Sequence, residues 1–181
     1  MDPAQIKLVL LDRDGVINVE SPAFIKRPSQ WHAIPGAIDA IVLMQSYFEV
    51  AVCSNQSGVG RGLFDESVLA AIHDKLNAEL VAAGGRALDV FYCPHHPDEG
   101  CPCRKPKPEL LTRAMQAYAI EPSHTVYAGD SEKDLLAAEN ADCFSILVLT
   151  GNGATTASST AGARASLVCT DLQDLAARLV P

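Results

Sequence analysis

Short apolar runs alternate along the chain with segments in which apolar residues recur at helical spacing. Five short runs predict β-strands: Ile6–Leu11, Val50–Cys53, Leu88–Tyr92, Thr125–Ala128 and Ser145–Leu149. Five longer segments predict α-helices: Ala37–Tyr47, Asp65–Ala83, Pro108–Tyr118, Glu132–Asn140 and Leu172–Leu179. This alternation is typical of a parallel sheet with helices on both faces. The pattern predicts an α/β fold with a three-layer, doubly wound parallel sheet (Rossmann-like), in a single domain over residues 1–181.

Turn and capping residues bound several of the predicted helices. Pro35-Gly36 precedes the first helix and Gly84-Gly85 follows the second, while Pro108 suits a first helical turn. The segment from Ala154 to Ala165 is small and polar, and it predicts a flexible surface loop rather than a domain linker.

Composition narrows the function classes. The chain has 181 residues, of which 48% are hydrophobic, so it can bury a sizeable core. No apolar run is long enough to span a bilayer, and Met1–Gln5 lacks the pattern of a signal peptide. The net charge of −8 argues against a general nucleic-acid binder. We therefore expect a cytoplasmic, monomeric protein with no membrane or nucleic-acid partner.

Charge is distributed unevenly in a way that suits an anionic substrate. Of the 14 basic residues, five lie in or beside candidate motif loops: Arg13, Arg61, Arg104, Lys105 and Lys107. An acidic body with basic residues at one mouth focuses anions there.

Two carboxylates follow the first predicted strand. Asp12 and Asp14 are two residues apart, so in extended chain they point to the same side and can share one Mg²⁺ ion or one phosphoryl group. Ligands of open α/β sheets bind at the carboxyl ends of strands. Gly15 then lets the chain turn away. A strand followed by a plain Asp-Gly turn is the alternative interpretation.

Other predicted strand ends carry matching polar residues. Ser54 to Gly58 offers a hydroxyl and backbone N–H groups to phosphate oxygens, or forms a polar turn that caps the next helix. Arg104 and Lys105 can neutralise a phosphoryl group, or belong to a solvated basic loop. Asp130 adds a third carboxylate, which Asp134 can brace unless Asp134 only complements the helix dipole.

Three of the six cysteines lie close together and suggest a metal site. Cys93, His95, Cys101 and Cys103 offer three thiolates and an imidazole, a set suited to tetrahedral Zn²⁺. His96 competes with His95 as the fourth ligand, and free cysteines or a disulfide are the alternative. With four protein ligands no coordination position stays open, so we expect a structural zinc. The other cysteines (Cys53, Cys143 and Cys169) are expected in the core, and His32, His73 and His124 show no partners.

The order of these motifs resembles the haloacid dehalogenase superfamily over nearly the whole chain. The features are Asp-x-Asp after the first strand, Ser54 after the second, Lys105 before a helix and Gly-Asp-x-x-x-Asp after a later strand. The resemblance implies a Mg²⁺ ion held by Asp12, Asp14 and Asp130, with Asp14 binding through its backbone carbonyl. It also implies that Asp12 attacks phosphorus to form an aspartyl-phosphate, that Asp14 is the general acid and base, and that Ser54 and Lys105 steady the phosphoryl group.

The cysteine motif before Arg104 resembles the histidinol-phosphate phosphatase branch of that superfamily. Asn55 to Phe64 and the Cys-Pro-His-His-Pro segment at 93–97 are most like the heptose 1,7-bisphosphate phosphatases within it. The resemblance implies hydrolysis of the 7-phosphate of D-glycero-D-manno-heptose 1,7-bisphosphate, in lipopolysaccharide biosynthesis. It assigns substrate contacts to these residues: Arg13, Glu20, Ser21, Pro22, Ala23, Asn55, Gln56, Ser57, Arg104 and Ser131. Ser131 and Ser54 depart from the residues frequent in heptose enzymes, where Lys and Thr are common.

Three alternatives stay open from the sequence. Histidinol phosphatase, an enzyme of histidine biosynthesis, is the alternative activity, and a zinc-stabilised binding module without turnover is the alternative from another class. A nucleic-acid 3′-phosphatase is disfavoured by the negative charge and the few aromatic residues.

Residues 15–35 are too few to fold as a large cap domain, so we expect an open site with the zinc loop as a partial lid.

Overall fold

The computed structural model describes all residues, 1–181. Its strands are β1 (Leu8–Leu11), β2 (Glu49–Asn55), β3 (Asp89–Cys93), β4 (Thr125–Gly129), β5 (Phe144–Val148) and β6 (Leu167–Cys169). Its helices are α1 (Ala37–Met44), α2 (Glu66–Ala82), α3 (Glu109–Tyr118), α4 (Glu132–Asn140), α5 (Gly153–Thr156) and α6 (Leu172–Leu179). All strand pairs are parallel, in the order β3-β2-β1-β4-β5-β6. The predicted doubly wound α/β fold is confirmed.

The register of the central strands aligns the predicted motifs at one edge of the sheet. Leu11 of β1 pairs with Val52 of β2 and with Ala128 of β4. The residues that follow these three positions therefore emerge together at the carboxyl edge, where the strand order reverses around β1. This is the position at which open α/β sheets bind ligands.

The two faces of the sheet bury separate hydrophobic clusters. Val9 and Leu11 face the larger cluster, which includes the fully buried Trp31 and Met44, while Leu8 and Leu10 face the smaller one with α3. Successive side chains of a strand point to opposite faces, so an all-apolar strand such as β1 requires cover on both sides. This cover holds the carboxyl edge in place as a rigid platform.

Two expectations about the C-terminal third were wrong. Strand β6 was not predicted, because its three residues form an apolar run too short to indicate a strand. The segment 154–165, expected to be a flexible loop, contains part of α5 and a 3-10 turn at Gly162–Arg164. Thr156 and Ala161 are buried there, so small residues were selected by close packing rather than by flexibility.

The connection between β1 and α1 contains no cap domain. Residues 15–35 form turns, two isolated β-bridges and one 3-10 turn at Pro28–Gln30. The left-handed Gly36 stands directly before α1. No helix in the chain combines the length and the apolar composition that a membrane-spanning segment needs.

Candidate active site

A polar cavity of about 370 Å³ opens at the carboxyl edge of the sheet. Only 3 of its 21 lining residues are hydrophobic, so it suits a charged or heavily hydroxylated ligand. Most of the predicted site residues line it: Asp12, Arg13, Asp14, Glu20, Ser21, Pro22, Ser54, Asn55, Gln56, Ser57, Arg104, Lys105, Asp130 and Ser131. Residues from four separate strand ends therefore meet in one cavity.

Three carboxylates from two distant parts of the chain converge in this cavity. One oxygen each of Asp12, Asp130 and Asp134 lies within 4.8 Å of the others. Asp130 follows β4 and Asp12 follows β1, so the register of these two strands brings them together. An all-oxygen donor set of this kind fits a hard divalent cation such as Mg²⁺.

Lys105 is the only ammonium group among these carboxylates. Its Nζ lies 3.0 Å from Asp12 Oδ1 and 2.6 Å from Asp134 Oδ1, and the side chain is 2% exposed. Both oxygens of Asp134 are engaged, since Oδ2 accepts hydrogen bonds from the backbone N–H and the hydroxyl of Ser131. Asp134 therefore holds Lys105 and the start of α4, and it does not brace Asp130 as expected.

Asn55 fixes the backbone of Lys105. Its side-chain oxygen accepts from the Lys105 N–H at 3.1 Å, and its amide nitrogen donates to the Lys105 carbonyl at 3.2 Å. The end of β2 thereby holds the loop that carries the lysine. Both polar atoms of the Asn55 side chain are thus engaged with this loop.

The carboxylate of Asp14 is turned away from the acidic cluster. It accepts hydrogen bonds from the guanidinium of Arg13, from Asn18 at 3.0 Å and from Gln56 at 2.8 Å. The Arg13 side chain is 1% exposed, and its Nη1 lies 3.3 Å from Nε2 of His73. The guanidinium therefore positions Asp14, although a substrate contact was expected of Arg13. His73, which seemed to lack a partner from sequence, has one.

Asp130 lies in a socket that only glycine permits. A Cβ atom at Gly15 or at Gly151 would overlap the carboxylate of Asp130, and both glycines have positive φ. Asn152 donates to Asp130 Oδ2 from its backbone, at 2.7 Å, and from its side chain, which also donates to Glu20. Asn152 was missed in the sequence because no motif marks it.

The shared burial of these carboxylates disfavours their negative charge, so a nearby positive charge would stabilise the cluster. Burial raises the pKa of Asp12 to about 7 against the opposing effect of Lys105, and neighbouring carboxylates add to the rise. Burial likewise raises the pKa of Asp130 to about 6. Burial also disfavours the charged form of Asp14, but Arg13, Asn18 and Gln56 outweigh it and lower the pKa. A bound divalent cation would offset the excess negative charge.

Positive side chains also line the cavity. Arg61, Arg104 and Lys133 all contribute to its lining. Nη1 of Arg104 is buried and has no hydrogen-bond partner, although buried polar groups are normally paired. Arg61 lies over the ring of Phe24, 5.9 Å from its centroid. The cavity lining thus contains both acidic and basic side chains, which fits a metal and an anionic ligand together.

Two expectations about the cavity wall need correction. Ala23 does not line the cavity, while its neighbours Phe24 and Ile25 do. The zinc loop is not a partial lid, because no residue from 93 to 103 lines the cavity. Instead the backbone at 94–96 packs against Gly60, where a Cβ would overlap it. Apolar side chains contribute little of the wall, and Phe24 and Phe64 are among the few that line it.

A second cluster contains the predicted zinc ligands. The sulfur atoms of Cys93 and Cys101 are 3.5 Å apart, and those of Cys101 and Cys103 are 3.7 Å apart. Nδ1 of His95 lies 3.5 Å and 3.3 Å from the sulfurs of Cys93 and Cys103. Tetrahedral zinc with sulfur ligands requires edges of about 3.7 Å, so the four residues fit the ion. His95, and not His96, lies in this cluster, and the ring of His96 instead accepts a hydrogen bond from the Asp98 N–H.

Comparison with known proteins places this architecture. The HAD-hydrolase-like family model matches residues 102–175. A D-glycero-beta-D-manno-heptose-1,7-bisphosphate 7-phosphatase of Bordetella bronchiseptica is 44% identical over 97% of this chain and 98% of its own length. The chain belongs to this phosphatase family. A relative of the same name from Pseudomonas aeruginosa is 46% identical, over 82% of this chain and 84% of its own length.

Solved structures of the family have the same fold. The B. bronchiseptica D,D-heptose 1.7-bisphosphate phosphatase, complexed with magnesium and phosphate, superimposes with a TM-score of 0.91 over 96% of this chain and 98% of its own. The Burkholderia thailandensis member, at 35% identity, gives a TM-score of 0.69 over 95% of this chain and 97% of its own. The resemblance inferred from the motifs is thus confirmed at the level of family and fold.

Proposed function

We propose that the chain hydrolyses the 7-phosphate of D-glycero-D-manno-heptose 1,7-bisphosphate in the presence of Mg²⁺. The observation that carries this proposal is the meeting of Asp12, Asp130 and Lys105 in one polar cavity of a chain 44% identical to a heptose-bisphosphate phosphatase. The relatives are named for the β-anomer, so that anomer is the first substrate to test.

Mg²⁺ would be held by the carboxylates of Asp12 and Asp130 and by the backbone carbonyl of Asp14. The oxygen donors fit this ion, and the B. bronchiseptica relative contains it together with phosphate. When bound, the cation supplies charge neutralisation between a carboxylate nucleophile and a negatively charged phosphate ester. The chain's own residues perform the remaining steps.

Asp12 is the proposed nucleophile. Its Oδ1 accepts hydrogen bonds from the Arg13 N–H at 2.8 Å and from Lys105, which leaves Oδ2 without a protein donor. Oδ2 attacks phosphorus, the ester oxygen departs with a proton from Asp14, and an aspartyl-phosphate results. Ser54, which is 1% exposed, and Lys105 steady the phosphoryl oxygens.

Asp14 is the proposed acid and base. Its lowered pKa suits the second step, in which the carboxylate takes a proton from the water that hydrolyses the aspartyl-phosphate. For the first step it must carry a proton, and negative phosphate charge entering the cavity raises its pKa in that direction. Arg13, Asn18 and Gln56 fix its orientation throughout.

We assign recognition of the second phosphate to the basic side chains that line the cavity, and to Arg104 in particular. The unpartnered Nη1 of Arg104 is a donor that an anion would satisfy, and a guanidinium matches phosphate oxygens well. We propose six other lining residues as sugar contacts: Glu20, Ser21, Pro22, Gln56, Ser57 and Ser131. The lining agrees with a hydroxylated substrate that carries two phosphates.

A substrate panel tests the proposal. Purified protein is assayed for phosphate release from both anomers of the heptose bisphosphate and from histidinol phosphate, with and without Mg²⁺. We expect Mg²⁺-dependent release that is highest for the bisphosphate. A higher kcat/KM for histidinol phosphate would overturn the substrate assignment, and release by a folded Asp12→Asn variant at the wild-type rate would overturn the nucleophile.

We further propose a single-domain, monomeric enzyme that acts in the cytoplasm. All six cysteines are free in the structure, which is consistent with a reducing compartment. Light scattering coupled to size exclusion measures the mass directly, and a species near twice the chain mass of 19.2 kDa would refute the monomer.

A further inference from the structure

Lys105 has more acceptors around it than it has protons. Besides Asp12 and Asp134, its Nζ lies 2.6 Å from the hydroxyl of Tyr127 and 3.1 Å from the carbonyl oxygen of Cys53. A lysine ammonium has three protons, so it cannot donate to all four neighbours at once. One acceptor must be satisfied by another donor.

Tyr127 resolves this competition. Its side chain comes from β4 and is fully buried, and its hydroxyl lies 2.8 Å from the Cys53 carbonyl and 3.1 Å from Asp134 Oδ1. If the single phenolic proton goes to Cys53, the shorter of these contacts, then the carbonyl is satisfied without the lysine. The three ammonium protons are then donated to Asp12, Asp134 and the Tyr127 oxygen.

We propose that Tyr127 is a positioning residue for the phosphatase reaction, acting through Lys105. Its hydroxyl occupies the Cys53 carbonyl and anchors the ammonium, so that one proton of Lys105 stays directed at Asp12 and the transferring phosphoryl group. Tyr127 does not line the cavity, so we place it behind the lysine rather than among the groups that contact substrate. The inference rests on the proposed role of Lys105 in that function.

When the Tyr127 hydroxyl is removed, Lys105 can donate to another acceptor in its place. In a Tyr127→Phe variant the third ammonium proton goes to the Cys53 carbonyl, which is already 3.1 Å away. No buried donor is then left unpaired, so the fold tolerates the change. The ammonium loses one of its fixed anchors, however, and its placement beside Asp12 becomes less exact.

The test compares Tyr127→Phe with Tyr118→Phe. Tyr118 also donates its hydroxyl to a carboxylate, Asp89, at 2.8 Å, but at the exposed end of α3 outside the cavity. Both variants are assayed with the heptose bisphosphate and with p-nitrophenyl phosphate. We expect Tyr127→Phe to lower kcat about tenfold with both substrates while KM changes less than about twofold, and Tyr118→Phe to match wild type.

A double-mutant comparison separates positioning from a purely structural role. In a Lys105→Ala background, Tyr127→Phe should cause no further loss of kcat, because its effect passes through the lysine. An equal proportional loss with and without Lys105 would overturn the proposal, as would an unchanged kcat in folded Tyr127→Phe. If this variant does not fold, Tyr127→Met replaces it; failure of both to fold would make Tyr127 a structural residue only. Absence of wild-type turnover with every phosphate ester tested would instead refute the proposed function.

Discussion

Replacement of Asp134 by asparagine tests the buried ion pair beside the nucleophile. Asp134 is 1% exposed and accepts from three donors: Lys105 Nζ and the N–H and hydroxyl of Ser131. Asparagine keeps the shape but offers one oxygen and two amide protons. Either Lys105 or the donors of Ser131 must therefore face an N–H₂ group.

The expected loss of stability follows from these contacts. Breaking a buried ion pair costs about 3–5 kcal/mol, because the remaining charge is left uncompensated. Lys105 retains Asp12 at 3.0 Å, so we expect the lower end, about 3 kcal/mol. For a chain of this length that corresponds to a fall in Tm of roughly 6–12 °C.

Urea unfolding at neutral pH measures this loss. Interactions with Lys105 and Ser131 outweigh burial and lower the pKa of Asp134, so its contribution is complete above the ordinary value of 3.8 and disappears as the pH falls below it. Glu139→Gln is the matched control, since it alters an exposed ion pair with Arg164 and should have little effect. A loss in Asp134→Asn no larger than in this control would refute the assigned role of Asp134.

Three further predictions concern the metal sites and one buried histidine. Removal of zinc by a chelator should lower Tm by roughly 10 °C or more and raise KM, because Cys103 immediately precedes Arg104 and Lys105; unchanged Tm and KM would contradict the zinc site. Gly151→Ala should raise the Mg²⁺ concentration for half-maximal activity at least about tenfold by displacing Asp130. Gly62→Ala, also at positive φ but with nothing nearby, is its control, and equal effects would refute the steric cause. Burial, together with the charge of Arg13, lowers the pKa of His73 from its ordinary value of 6.5 to about 4. Between these two pH values the histidine is protonated in the unfolded chain but neutral in the folded protein. Stability of wild type relative to His73→Gln, measured by urea unfolding, should therefore fall by about 2 kcal/mol between pH 7 and pH 4.5, and a constant difference would refute this.

Much of the fold and the composition of the site could be predicted from local sequence. An apolar run such as Ile6–Leu11 predicts a buried parallel strand, and acids directly after it must emerge at the carboxyl edge. Because parallel strands all end at that edge, Asp12, Ser54 and Asp130 could be expected together before any contact was known. The zinc ligands were equally predictable, since the residues lie close in sequence and few chemistries use that set.

The pairing of side chains inside the site could not be predicted in the same way. Asp134 was expected to support Asp130, yet it binds Lys105, and Asn55 holds a backbone that lies 50 residues away in the chain. The guanidinium of Arg13 lies between Asp14 and His73, and nothing in the local sequence indicates the contact with His73. Each of these pairings depends on how elements remote in sequence pack against one another.

The sequence by itself determined which residues reach the carboxyl edge, because hydrophobic periodicity sets the strands and each motif follows its strand directly. Only the tertiary structure decided which of those side chains contact one another and therefore which role each has. A buried charge must find its partners wherever packing brings them. The pairing of β4 with β1 brought Tyr127 and Asp134 near the nucleophile, and the loop held by Asn55 brought Lys105 to them. No local pattern around Tyr127 or Asn152 records that arrangement, since each residue gains its role from neighbours that folding supplies.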